Sequence, residues 1–266
     1  MIDARKLFLA VFILLSGVLA PAQIPSESEL AAITARGRML YEYDQAAWHA
    51  TDAVQATNPP RELLGRYIAR KTDAGWEVAF GRLNEAKDAF LIVIMATQGA
   101  TVQQFAIRRL DPVQTDTGFY LAAALALETA IPIFHAAAGR TYNASVIPAP
   151  NAQWYVYLEP GQIDADGEYF PLGADIRFLI SADGKRIFES RQMHKSLIPK
   201  AEIPPGTTLA GGVHSHVLSD MPEDSYVFAV LSRKPAIPEY IATESATYAV
   251  NTDGSIVIEK RNKKHR

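Results

Sequence analysis

From Ser26 onward the chain alternates between two hydrophobic rhythms. Leu30, Ile33, Gly37, Leu40, Ala47 and Val54 recur at spacings of three, four and seven, the period of one face of an α-helix. Ser26 followed three residues later by Glu29 matches a capping box, and Asn58-Pro59-Pro60 cannot continue a helix. The pattern therefore predicts a helix over 26–57. The rhythm then shortens. Runs at 66–72, 76–82, 89–96 and 102–110, separated by Asp73-Ala74-Gly75, Asn84 to Asp88 and Gln98-Gly99, predict a four-stranded antiparallel meander. Thr117 to Ala138 is rich in Ala and Leu with few charges, which predicts a helix buried on most of its surface and kinked or broken at Pro132.

The second half is richer in strands. Short runs at 144–147 and 153–158 are punctuated by Pro148, Pro150 and Pro160. Two hairpins follow, 176–181 with 186–193 and 247–250 with 255–259, turning at Asp183-Gly184 and Asp253-Gly254. Asp-Gly suits a two-residue turn with positive φ at both positions. Lys200 to Ser225, rich in Pro and Gly, reads as the most loop-like stretch. The expected class is α+β with mostly antiparallel sheet: an N-terminal half over 23–140, a β-rich half over 141–259, and a solvated basic tail over 260–266.

Composition narrows the class. The chain has 266 residues, 48% hydrophobic and 21% charged, with mean hydropathy −0.01. That excludes wholesale disorder and a polytopic membrane protein. A net charge of −3 offers no basic excess for nucleic acid. The absence of cysteine removes disulfides, thiolate metal sites and Cys nucleophiles together. Arg5 and Lys6, the apolar run Leu7 to Ala20, and Ala20-Pro21-Ala22 read as a signal peptide over 1–22 cleaved before Gln23. The run is too short to span a bilayer comfortably. The expected location is therefore secreted or periplasmic, with no stable membrane span after cleavage.

The candidate chemistry lies at Gly211-Gly212-Val213-His214-Ser215-His216. Side chains at i and i+2 of an extended segment point the same way, so His214 and His216 can converge on one ion. Asp220, Glu223 and Asp224 follow closely. Without thiolates, a His and carboxylate set is the transition-metal option left, and zinc is the expected cofactor. The same residues also read as a polar loop whose imidazoles bond to backbone and whose acids open a turn or a helix. Strand alternation puts Glu189 with Ile187, Arg191 and Met193, and His194 on the opposite face unless the strand ends before it. His194 is thus an alternative ligand. His135, inside the predicted apolar helix, reads as a core residue.

HSH, then Ser219 with an Asp, then Pro238-Glu239-Tyr240-Ile241 leading into a hairpin, resembles the JAB/MPN metalloprotease-like domains. The resemblance covers Gly211 to Glu259. It implies that His214 and His216 ligate zinc with Asp220 or Asp224 as third ligand, and that an upstream Glu activates the metal-bound water. Glu189 leads for that role, with Glu159, Glu168 and Glu202 also upstream. The family has Pro after the second His, where this chain has Val217, and its Asp lies about twelve residues beyond that His. As a whole, the chain resembles a group of exported bacterial proteins. Two functions are expected. One is an exported zinc hydrolase cleaving an amide in a peptide or peptidoglycan fragment. The other is a non-catalytic secreted or periplasmic binding protein with no metal and an exposed apolar patch.

Overall fold

A computed structural model describes residues 24–137, 139–161, 171–198 and 206–262. The leader, Glu168, Glu202 and the last four residues of the basic tail lie outside them. Among the described residues, no helix is long and apolar enough to cross a membrane.

The helix expected from the capping box is α1 (Glu27–Gln55). Its box is formed: Glu29 N donates to Ser26 Oγ at 3.3 Å, and Glu29 Oε2 accepts from Ser26 N at 2.7 Å. After a single turn, α2 (Arg61–Leu64), comes the meander of β1 (Arg66–Thr72), β2 (Gly75–Leu83), β3 (Phe90–Gln98) and β4 (Phe105–Asp116), antiparallel in that order. The fourth strand starts and ends later than its apolar pattern suggests. It is an edge strand, nearly all exposed beyond Leu110, so its alternation fades, and an edge tolerates Pro112. Helix α3 (Phe119–Ala130) gives way to a 3-10 turn over Ile131–Ile133. The helix thus breaks ahead of Pro132, one of the two outcomes expected there, and His135 lies beyond it and exposed.

The second sheet is ordered β5-β6-β8-β9, from β5 (Tyr142–Pro148), β6 (Trp154–Pro160), β8 (Ile176–Ile180) and β9 (Ile187–Gln192). Between β6 and β8 lies β7 (Leu172–Gly173), which pairs with β10 (Leu197–Ile198). The third sheet runs β11 (Gly212–Ser215), β12 (Glu239–Ala242), β13 (Ala246–Val250), β14 (Ile256–Arg261). Both expected hairpins form, but only the glycine of each Asp-Gly takes positive φ, Gly184 at 73° and Gly254 at 82°. Each turn closes with the glycine N–H on the carbonyl three residues back, Ser181 at 2.9 Å and Asn251 at 2.8 Å. This is a type I turn ending in a left-handed residue rather than a two-residue mirror-image turn.

The apolar rhythm does not mark α4 (Asp224–Ser232), although a helix opening at the acidic cluster was one reading of that loop-like stretch. Asp224 to Val230 are all buried, and a short helix with no polar face shows no 3.6-residue rhythm. It links β11 to β12, which run parallel, while the other strand pairs are antiparallel. The architecture is α+β.

Two apolar cores result. Leu40 to Val54 of α1 pack with the first two sheets and α3, whereas Leu30 and Ile33 pack with α4 and the third sheet. Helices α1 and α4 touch at Gly37. A Cβ there would lie 2.5 Å from both Val227 Cβ and the Asp224 carbonyl oxygen. No larger residue fits that crossing without moving a helix.

Candidate functional site

The structure gathers three imidazoles around one phenol. His214 comes from β11, His216 from just beyond it, His194 from beyond the end of β9, and Tyr226 from α4. Because β9 stops at Gln192, His194 is freed from strand alternation and turns inward. The His194 and His214 rings lie 4.6 and 4.8 Å from the Tyr226 ring, and His216 5.7 Å. His194 stands 6.3 Å from His214 and 5.7 Å from His216, centroid to centroid.

Each histidine is held differently. His194 Nδ1 is 2.6 Å from Asp175 Oδ1, and both residues are buried. His214 Nδ1 is 2.7 Å from Glu239 Oε1, whose other oxygen lies 2.5 Å from the Arg233 guanidinium. Burial opposes ionisation of Glu239, but the His214 hydrogen bond and Arg233 outweigh it and hold the carboxyl below its usual range. A carboxylate only accepts, so in both pairs Nδ1 donates, and in the neutral imidazole Nε2 is then the atom with a lone pair. The Nε2 atoms of His194 and His214 are both buried and without a hydrogen-bond partner.

His216 has the opposite arrangement. Burial, then the charges of Asp175, Glu223 and Glu239, push the Tyr226 phenol up, so it keeps its proton. It donates to His216 Nδ1 at 3.0 Å, leaving Nε2–H to face Ser219 Oγ at 3.1 Å. Glu223 Oε1 stands 3.5 Å from the same Nε2. Both nitrogens of His216 are therefore engaged. Ser219 itself closes the turn before α4, donating to the Met221 carbonyl at 2.9 Å. Arg191 grips Glu223 with two bonds of 2.9 and 2.6 Å, a bidentate pair that fixes the start of α4.

The expected carboxylates lie elsewhere. Asp220 Oδ1 accepts from Ser245 N at 3.0 Å. Asp224, fully buried, accepts from Arg36 at 3.0 Å, Arg177 at 2.5 Å and Tyr157 at 2.8 Å. Burial alone would lower the Arg177 guanidinium, but Asp224 reverses this and raises it. Glu189 is half exposed, its carboxylate 3.6 Å from Arg177. Glu159, on β6, is buried, and burial followed by the charge of Asp175 pushes it well above the carboxylate range.

The structure thus brings His214 and His216 together and adds His194. The acids bonded to the rings are Asp175 and Glu239, with Glu223 beside His216. Among the described residues, no group of three or more His, Asp or Glu side chains forms a ready metal cage. Asp175 and Tyr226 carried no local signal, and Glu239 entered only as part of the segment leading into the hairpin; strand pairing and α4 bring all three to the rings. Along the same segment of chain, Val213 and Val217 are 75% and 72% exposed, and Leu209 and Leu218 are also exposed. No family model, curated protein or solved structure matches the chain.

Proposed function

We propose that the protein is an exported amide hydrolase, acting on a peptide or peptidoglycan fragment, with the histidine cluster as its reacting centre and zinc as its cofactor. The observation that supports this best is the pair of imidazoles His194, buried, and His214, half-buried, each with a carboxylate on Nδ1 and a buried Nε2 without a partner. Burying so many ionisable groups costs stability that an apolar cluster would not, and such costs gather where chemistry is done. His214 fits a zinc ligand. His216, with both nitrogens engaged, and Asp224, bonded to two guanidiniums and a phenol, are bound otherwise, so His216 is read as a proton-handling group. Zinc, when bound, supplies a water of lowered pKa. Export rests on the leader expected over 1–22.

The test is release of amine from muropeptides and peptides by the purified protein with added zinc. Cleavage that falls at least about 100-fold in a folded His214→Ala variant is expected. An inactive wild type, or an equally active variant, would overturn the reading. In that event a non-catalytic binding role gains, favoured by the exposed Leu209, Val213, Val217 and Leu218 along the segment that carries His214 and His216.

A further inference from the structure

We infer that His194 and His214 together form a transition-metal site through their Nε2 atoms, a pairing distinct from the His-x-His chelate of the sequence motif. The inference shares the cluster with the hydrolase reading but rests on geometry alone.

Three observations carry it. First, a buried imidazole nitrogen with no partner forfeits a hydrogen bond that water would have given it. Two such atoms occur in one cluster, on rings that pack against the same Tyr226 face and edge. A metal ion satisfies both at once. Second, each ring carries a buried carboxylate on the other nitrogen, Asp175 at 2.6 Å and Glu239 at 2.7 Å. That is the outer-shell arrangement that fixes a metal-binding tautomer and raises ligand basicity. His216, with its Nε2–H facing Ser219 Oγ, presents the wrong tautomer.

Third, the spacing fits. With a nitrogen roughly 1.1 Å from the ring centre and a bond of about 2.0–2.1 Å, each ring centre stands about 3.2 Å from a shared ion. Two rings on one ion are then separated by about 5.2 Å at a tetrahedral angle and about 6.4 Å when opposed. The observed 6.3 Å lies at the wide end of that range, so the two nitrogens would face the ion from nearly opposite sides. Two imidazoles leave the remaining positions open to water or substrate, whereas a structural site is closed by four protein ligands. His214, its side chain 13% exposed on an edge strand, gives the ion a way in. Two neutral nitrogens and no thiolate select a late divalent ion such as zinc or copper.

The experiment is calorimetric titration of the full protein with zinc alone, paired with visible absorption after cobalt loading. Wild type is expected to bind one ion with imidazole-type cobalt bands. Binding should weaken at least about 100-fold in His194→Gln, fall about 10–100-fold in Asp175→Asn, and persist in His216→Gln. Circular dichroism checks that each variant folds. Should His194→Gln unfold, His214→Gln carries the same expectation. No binding by wild type, binding indifferent to His194 and His214, or binding lost only with His216 each overturns the inference. A protein that takes zinc through this pair yet cleaves no amide would lose only the hydrolase reading.

Discussion

The most direct perturbation is Asp224→Asn. The carboxylate is fully buried and accepts from Arg36, Arg177 and Tyr157, which joins α1, β8 and β6 to the first residue of α4. Asparagine keeps the shape and removes the charge. Two guanidiniums are then left facing each other, one of them with a side chain only 9% exposed. Removing one partner of a buried ion pair costs about 3–5 kcal/mol, because the surviving charge stays desolvated. At about 2–4 °C per kcal/mol for a chain of this size, the melting temperature should fall by roughly 6–20 °C. Differential scanning calorimetry of the metal-free protein measures it. Arg36→Ala should cost less, since that side chain is 25% exposed and water can replace it. A shift under about 2 °C for Asp224→Asn would show that the network is not desolvated as described. It would also reopen Asp224 as a group held in reserve for an ion.

Two further perturbations probe the scaffold. Gly37→Ala forces a methyl to within 2.5 Å of α4, and overpacking costs about 1–3 kcal/mol against the roughly 1 kcal/mol that alanine gains in helix propensity. Urea unfolding should show net destabilisation, and a more stable variant would refute the tight crossing. Burial pushes the Asp44 carboxyl up to about 6 from 3.8, so between those values the folded state holds the proton that the unfolded chain releases. Its contribution to stability is therefore present at low pH and lost as pH rises through about 6, by at most roughly 3 kcal/mol. Asp44→Asn should flatten that part of the curve in urea midpoints taken at pH 4 and pH 7.5. An unchanged slope would disprove the assignment.

What could be read from the chain followed from local period. Helix α1, the first three strands of the meander and both Gly-terminated hairpins each show a rhythm or a turn signal within a dozen residues. Helix α4 does not, because a fully buried helix has no polar face to set the beat. The site divides the same way. His214 and His216 stand out as a pair two residues apart, but Glu239 reaches His214 only because β11 and β12 pair in parallel, and Asp175 reaches His194 only because β9 ends early. Neither contact leaves a mark in either segment alone.

Helix α1 spans about 44 Å at 1.5 Å per residue, with Ile33 in one core and Leu40 in the other. Neither half of the chain can therefore be cut away and keep its interior covered. A fragment lacking the first sixty residues would present the bare side of both cores to solvent. A loss of order at the histidine end would be felt along one continuous rod at the opposite end of the molecule, so melting should proceed as a single event rather than in two stages.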